Sequence, residues 1–188
     1  MNLEKQVTKM KIALDVDGVL ADVIISWLNY NNSVRPKIAK HQITNWEFWK
    51  EFQIDPFDFY AELSSCWENW MSIPTTETNL SSITKSLSNL GQVDIVTARE
   101  RSTDSFVKSW LDHHNISYDN YVSVIDGPKK ANLDYDVFID DSPLNAKKFI
   151  KNDKKVILYS QPWNQHISEN QINRVSNLSE AVNKIKSV

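Results

Sequence analysis

Short apolar runs alternate along the chain with longer stretches in which apolar residues recur every three or four positions. Strands that alternate with helices favour parallel pairing through right-handed crossovers. The pattern therefore predicts an α/β fold with a doubly wound, Rossmann-like parallel sheet. Buried strands are predicted at 11–16, 93–97, 121–125, 136–139 and 155–159.

The stretches between the predicted strands carry helical patterns with recognisable ends. Ser142 followed by Pro143 is typical of a helix start, because serine caps the first turn and proline suits the first helical position. Ser179 is predicted as a second N-cap, and Gly91 as the C-cap of an earlier helix. Helices are expected at 19–29, 75–90, 102–114, 143–151 and 179–186.

Asparagine and aromatic residues dominate the segment 31–72. Five of the seven tryptophans lie between Trp27 and Trp70, and the aromatic residues recur at helical spacing. This composition predicts a small helical cap, residues 23–74, inserted after the first strand. The α/β core would comprise residues 1–22 and 75–188.

Composition excludes several classes of protein. The 188 residues carry a net charge of −3, which argues against stable binding of nucleic acid, since such proteins usually show a basic excess. The single cysteine, Cys66, allows neither an internal disulfide nor a cysteine-based zinc site, and it favours the reducing cytosol. No apolar stretch approaches the roughly 18 residues of a membrane span, and the N-terminus lacks the core of a signal peptide. A cytoplasmic protein with no membrane partner is expected.

Polar residues stand at the ends of several predicted strands. Asp15 and Asp17 follow the first strand, Thr97 ends the second, and Asp140 and Asp141 end the fourth. The carboxyl ends of parallel strands meet at one edge of a doubly wound sheet, where ligands bind. A pair of aspartates after a strand also suits a solvated turn, but the larger set predicts a functional site.

This set of residue types suits phosphoryl transfer through a covalent aspartate. A carboxylate can attack phosphorus, and a second acid can protonate the leaving alkoxide and then activate water. Mg²⁺ would offset the repulsion between carboxylate and phosphate. A hydroxyl and a lysine can hold the phosphate oxygens. Lys129 and Lys130 both precede the fourth strand, and spacing favours Lys130.

Four motifs occur in the order that a known superfamily shows. "DVDGVLAD", "IVTAR", Lys130 and "IDDSP" resemble the four motifs of the haloacid dehalogenase-like phosphohydrolases. Within that superfamily, "SIP", "SWL" and "YSQPWN" are similar to the 5′(3′)-deoxyribonucleotidase branch. The chain differs from that branch at Ala98, where the branch carries serine, and at Val23, where it carries an aromatic residue.

The resemblance implies a role for each motif residue. Asp15 would be the nucleophile and a Mg²⁺ ligand, and Asp17 would be the general acid and base, with its carbonyl on Mg²⁺. Asp140 would be the other direct ligand, and Asp141 would support the metal-bound waters. Phosphate would be held by Thr97, the amide of Ala98 and Lys130.

The resemblance also implies a Mg²⁺-dependent hydrolase of phosphomonoesters, with a nucleoside monophosphate as the leading substrate, and it allows a homodimer. Trp46 and Phe48 are candidates to stack on a base, although such aromatics also suit the core of a cap. Arg99 and Gln161 could reach the mouth of the pocket or lie in exposed loops. The alternatives are a phosphatase of another small metabolite or of a nucleic-acid 3′ end, and a phosphate sensor without catalysis.

Overall fold

Six parallel strands form one sheet in the computed structural model, which describes residues 9–31, 38–168 and 172–187. The strand order is β3-β2-β1-β4-β5-β6. Because the order reverses at β1, the sheet is doubly wound, which confirms the predicted fold class. The strands are β1 (Met10–Leu14), β2 (Gly91–Ala98), β3 (Asn120–Val124), β4 (Val137–Asp140), β5 (Lys155–Tyr159) and β6 (Asn173–Val175).

The central strand β1 pairs with β2 on one side and with β4 on the other. Leu14, its last residue, lies opposite Ile95 of β2 and Ile139 of β4. The residues that follow these three positions therefore lie at the same edge of the sheet. This register brings the predicted site residues of the three strands together.

Helices cover both faces of the sheet, where two groups of buried apolar side chains form the core. Ser142 caps α5 as predicted, since its Oγ accepts the Asn145 N–H at 3.3 Å. Within the described ranges, no helix has the length and apolar character that a membrane crossing requires. The helices are α1 (Val23–Asn31), α2 (Pro56–Glu68), α3 (Leu80–Ser88), α4 (Asp104–His113), α5 (Pro143–Lys151) and α6 (Leu178–Lys186).

The first helix begins at Val23, four residues later than predicted. A tight loop takes the place of its first turn, because the amides of Leu20 and Ala21 both donate to the carbonyl of Val16 at 2.9 Å. Gly18 has a φ of 74°, a left-handed conformation that no helix accommodates. The apolar residues of the loop are buried, and for this reason the sequence pattern resembles the buried face of a helix.

The helix predicted at 75–90 is also shorter. Its expected first residues bind the loop after β1 instead, since the Thr76 hydroxyl donates to the Val19 carbonyl at 2.6 Å. Gly91 begins β2 rather than capping α3. A Cβ at this position would lie 2.3 Å from the carbonyl oxygen of Met10, so glycine is needed where β2 approaches β1.

Two further differences lie near the C-terminus. The N-cap of α6 is Asn177, whose Oδ1 accepts the Glu180 N–H at 2.9 Å, and not Ser179. The edge strand β6 was not predicted. It has three residues, two of them polar, and so carries no apolar run.

The described part of the segment 23–74 is mainly helical. Besides α1 and α2 it contains short 3₁₀ helices at Lys40–Gln42, Phe48–Phe52 and Trp70–Ser72. Aromatic rings pack against one another within it, with Trp49 stacked on Phe59 at 4.5 Å between centroids. The division of the chain at 22/23 and 74/75 stays a prediction.

Candidate active site

Asp15 lies directly after β1, at the sheet edge where the strand order reverses. Its backbone N–H donates to the Ile139 carbonyl at 3.0 Å, which continues the pairing with β4 by one residue. Its Oδ1 accepts the N–H of Val16 at 2.8 Å. The side chain is buried, so Asp15 holds a fixed orientation at the base of the site.

Lys130 joins two of the predicted carboxylates. It lies in the 3₁₀ helix Gly127–Asn132, and its Nζ is 2.8 Å from Asp15 Oδ2 and 2.9 Å from Asp140 Oδ2. A lysine that is only 2% exposed must be paired, and these two carboxylates supply the pairing. Lys129 is exposed, so the local geometry favours Lys130 as the phosphate-binding lysine.

The end of β4 and the start of α5 hold Asp140. Its Oδ1 accepts the Ser142 N–H at 2.9 Å, and the side-chain amide of Asn145 lies 3.1 Å from both of its oxygens. The neighbouring Asp141 accepts the indole N–H of Trp163 at 3.0 Å on Oδ2. These donors to Asp140 thus lie at the start of α5, and the donor to Asp141 lies in the 3₁₀ helix Pro162–Asn164 after β5.

Asp15, Asp140 and Asp141 form an acidic cluster, since one carboxylate oxygen of each lies within 4.8 Å of those of the other two. Burial raises the pKa of Asp15 to about 7, although Lys130 opposes the shift. Burial and the charge of Asp140 raise the pKa of Asp141 well above its ordinary range. One lysine faces three buried carboxylates, so the cluster fits a divalent cation with oxygen ligands.

Asp15 and Asp140, the two predicted direct carboxylate ligands, both belong to the acidic cluster. Asp141, which was expected to support metal-bound waters, belongs to it as well, since one of its carboxylate oxygens lies within 4.8 Å of those of the other two. The indole N–H of Trp163 holds the Asp141 carboxylate in this position. The side chain of Asp17 lies outside the cluster, and its predicted contribution to the metal site is through the backbone carbonyl.

Gly18 lies against the acidic cluster. A Cβ at this residue would lie 2.2 Å from Asp141 Oδ2, so the close approach requires glycine as much as the positive φ does. Its carbonyl accepts a hydrogen bond of 2.6 Å from Gln161 Nε2. Gln161 is buried and fixes the loop, in contrast to the exposed position that was considered for it.

Asp17 is the one predicted catalytic residue with a partly exposed side chain. The indole N–H of Trp67 donates to its Oδ1 at 3.1 Å, and Arg99 forms an ion pair with its Oδ2. The side chain is 30% exposed and borders the cavity. Asp17 therefore faces the space that a substrate would occupy, while Asp15 lies at its base.

Thr97 lies on β2 beside Asp15. Its hydroxyl is buried and finds no hydrogen-bond partner among the described residues. Because an unsatisfied buried hydroxyl is unfavourable, this group fits a polar atom of a ligand. Ala98 follows it at the end of β2 and borders the same cavity.

A cavity of about 430 Å³ opens over these residues, a size suited to a small-molecule ligand. All the predicted site residues border it except Asp140, which pairs with Lys130, and Gln161. Trp46, Phe48 and Arg99, predicted as pocket residues, are among them, and Phe48 is only 4% exposed. Aromatic side chains of the helical segment thus line the same cavity as the carboxylates at its base.

Four residues of the site escaped the sequence analysis: Trp67, Asn145, Trp163 and Asn164. The amide of Asn164 donates to the carbonyls of Asp141 and Tyr159 at 2.8 Å, so it fixes the loop after β5 against the acidic cluster. Trp67 and Trp163 donate to carboxylates that lie 50 and 22 positions away in the sequence. The one available signal was "YSQPWN", a run of amide and indole donors directly after a buried strand.

Comparison with known protein families gives one match along nearly the whole chain. The model described as "5′ nucleotidase, deoxy (Pyrimidine), cytosolic type C protein" matches residues 9–188. This range includes every strand of the sheet and every residue of the candidate site.

Individual relatives agree with that match. The chain is 27% identical over 180 residues to a 5′(3′)-deoxyribonucleotidase of Bacillus subtilis, covering 94% of this chain and 99% of the relative. It is 26% identical over 177 residues to a nucleotidase of Clostridium acetobutylicum, covering 92% and 91%. Among solved structures, a haloacid dehalogenase-like hydrolase of Streptococcus pneumoniae has a TM-score of 0.63 at 13% identity over 94% of this chain and 98% of that one. That likeness concerns the fold alone.

Proposed function

The chain belongs to the family of cytosolic type C 5′ nucleotidases, and on this basis we propose that it hydrolyses nucleoside monophosphates through a phosphorylated Asp15, with Mg²⁺ as cofactor. Deoxyribonucleotides are the leading substrates. The proposal is supported by one observation above all: three buried carboxylates and Lys130 meet beneath a cavity that also receives the unpartnered hydroxyl of Thr97.

Asp15, Asp140 and Asp141 would hold the metal ion, together with the backbone carbonyl of Asp17. Carboxylate oxygens are the ligands that Mg²⁺ prefers, and three of them beside one lysine leave negative charge for a divalent cation to offset. When bound, Mg²⁺ would neutralise charge on the carboxylates and on the phosphoryl oxygens.

Asp15 attacks the phosphorus atom of the ester and forms an acyl phosphate, while the bond to the leaving oxygen breaks. The Thr97 hydroxyl, the Ala98 amide and the Lys130 ammonium group bind the non-bridging oxygens of the phosphoryl group. Lys130 also orients the nucleophile, because it already lies 2.8 Å from Asp15 Oδ2.

Asp17 donates a proton to the leaving alkoxide and later removes one from the water that hydrolyses the acyl phosphate. Its side chain suits this role because it borders the cavity and lies outside the acidic cluster. Asp15 and Asp17 thus divide the work, with the nucleophile buried under Lys130 and the acid at the cavity wall.

The helical segment 23–74 acts in this proposal as a cap that selects the substrate. Trp46 and Phe48 border the cavity, and an aromatic ring stacked on a base contributes about 1–3 kcal/mol. The names of the relatives also favour a deoxyribonucleotide. A cytoplasmic location and a homodimer stay predictions from the sequence.

The proposal is tested by phosphate release from a panel of phosphomonoesters with Mg²⁺. The panel contains ribo- and deoxyribonucleoside monophosphates, sugar phosphates, an aryl phosphate and a 3′-phosphorylated oligonucleotide. We expect turnover to be fastest with a deoxyribonucleotide, to stop with EDTA, and to fall at least about a thousandfold in Asp15→Asn, since that variant lacks the nucleophile.

Each alternative gives a different result in this assay. Fastest turnover of a sugar phosphate or of the oligonucleotide would retain the chemistry and replace the substrate. A folded protein that releases no phosphate from any ester would contradict the enzymatic proposal and favour a phosphate sensor. Activity of Asp15→Asn equal to that of the wild type would contradict the mechanism.

A further inference from the structure

Both carboxylate oxygens of Asp17 accept hydrogen bonds from side chains. Oδ1 accepts the indole N–H of Trp67 at 3.1 Å, and Oδ2 pairs with the guanidinium group of Arg99. Trp67 belongs to α2 of the helical segment, whereas Arg99 follows β2 of the sheet. The proposed general acid is therefore oriented from both parts of the molecule at once.

Trp67 also positions the second donor. The guanidinium carbon of Arg99 lies 4.6 Å from the centre of the Trp67 ring, a cation–π contact. Nη1 of Arg99 donates to the Thr103 hydroxyl at 3.3 Å, and the side chain is only 8% exposed. Trp67 thus acts on Asp17 twice, through its N–H and through the face of its ring.

The indole of Trp67 is itself immobile. It is fully buried and packs edge-to-face on Trp110 at 6.2 Å between centroids. Trp110 is held in turn by a hydrogen bond of 2.8 Å from its own N–H to the Ile73 carbonyl. A side chain held in this way can fix the rotamer of the carboxylate that it contacts.

We propose that Trp67 is a positioning residue for Asp17, so that the helical segment sets the geometry of proton transfer as well as forming the substrate pocket. This inference rests on the proposed function, because it requires Asp17 to act as the general acid. The two donors also stabilise the carboxylate that remains after the proton has left. Each carboxylate oxygen of Asp17 has a second lone pair, which can bind the proton that Asp17 transfers.

The test removes the N–H donor. Trp67→Phe keeps an aromatic ring in the buried site, removes the hydrogen bond to Asp17 and fills less space than the indole, a change that the control variant shares. The matched control is Trp27→Phe, since Trp27 also donates its indole N–H to a carboxylate, Glu62 Oε2 at 2.8 Å, in the same helical segment. Asp17→Asn serves as the reference for complete loss of the acid.

The readout is the rate at which the leaving group is released in the first turnover, measured on the alkyl phosphomonoester that the wild type turns over fastest and on para-nitrophenyl phosphate. This rate excludes hydrolysis of the acyl phosphate, a step that is common to both esters and that also uses Asp17. An aryl leaving group needs little protonation, so a defect in the acid slows the alkyl ester selectively. For Trp67→Phe we expect this rate to fall about tenfold on the alkyl ester and less than about twofold on the aryl ester. Trp27→Phe should retain the wild-type rate on both.

Three results would overturn the inference: an unchanged first-turnover rate in Trp67→Phe, an equal loss of that rate on the two esters, or the same loss in Trp27→Phe. The last two would show that the indole contributes packing alone. Failure of the proposed function is a separate result, since it would appear as an inactive wild type or as an Asp17→Asn variant that loses both esters equally.

Discussion

The site depends on carboxylates in an environment that disfavours their charge. Asp15, Asp140 and Asp141 are buried, and burial raises the pKa of Asp15 to about 7. Lys130 bridges Asp15 and Asp140, Asn145 donates to Asp140, and Trp163 donates to Asp141, so each carboxylate is fixed in position. Burying these carboxylates close together is electrostatically unfavourable, and a bound cation would offset that unfavourable free energy.

Gly18 occupies a position where the site has no room for a side chain. In Gly18→Ala, a Cβ would lie 2.2 Å from Asp141 Oδ2 and the backbone would keep a left-handed φ. We expect a loss of stability of about 1–3 kcal/mol and a fall in activity of at least about tenfold, because the displaced carboxylate belongs to the acidic cluster. Urea unfolding and phosphate release measure the two effects.

Asn115→Ala is the control for Gly18→Ala, since Asn115 also has a positive φ, of 52°, and does not border the cavity. It should lose stability and keep its activity. A Gly18→Ala enzyme with wild-type turnover would contradict the tight packing of Gly18 against Asp141.

Residues at strand ends were predictable from the sequence, but their supporting donors were not. Asp15, Thr97 and Asp140 follow apolar runs, so topology alone places them together. Trp67 donates to Asp17 across 50 sequence positions, and Trp163 to Asp141 across 22. Contacts of that kind depend on how helices pack, and no local pattern encodes them.

At the scale of elements, helix ends position the site. The N-cap Ser142 follows Asp140 and Asp141 directly, so the first turn of α5 carries Asn145 to the oxygens of Asp140. The boundaries that the sequence misplaced lie at similar junctions. Thr76 and Leu20, for example, were both predicted to be helical, and they bind each other instead.

Ser142→Ala tests the role of this helix start. Loss of the cap should reduce stability by about 1 kcal/mol, and activity should fall because Asn145 loses its fixed position beside Asp140. Asn177→Ala removes an equivalent cap from α6, far from the acidic cluster in the sequence, and should reduce stability alone. Equal activity of the two variants would contradict a role for the α5 cap in the site.

At the scale of the whole molecule, the doubly wound parallel sheet followed from the alternation of strands and helices. The helical segment was recognised by its aromatic content, but the contacts that it makes with the sheet were not. Its residues form hydrogen bonds with Asp17 and ring contacts with Trp110, which lie in separate parts of the fold. The packing of the helical segment against the sheet is a tertiary property, and the spacing of apolar residues in the sequence does not specify it.

Global stability should depend on pH in a direction set by the acidic cluster. Asp15 has a pKa of about 7 in the folded protein against an ordinary value of 3.8. Between about pH 4 and 7 the folded state keeps a proton that the unfolded chain has released, so the free energy of unfolding falls as pH rises. In EDTA, we expect a lower urea midpoint at pH 8 than at pH 5.

Asp15→Asn is the control, because its side chain is neutral at every pH, and it should lose less stability over the same interval. Mg²⁺ should restore stability at pH 8 in the wild type and much less in Asp15→Asn. A wild type whose pH dependence equals that of Asp15→Asn would contradict the raised pKa of Asp15.

The central claim is that Asp15 carries the phosphoryl group during turnover. The most direct measurement is acid quench of the enzyme mixed with a deoxyribonucleotide and Mg²⁺, followed by mass spectrometry of its peptides. We predict a phosphoryl group on Asp15, labile to hydroxylamine and absent from Asp15→Asn. An enzyme that releases phosphate in steady state, with no phosphorylated Asp15 at any quench time from the first turnover onward, would contradict the account.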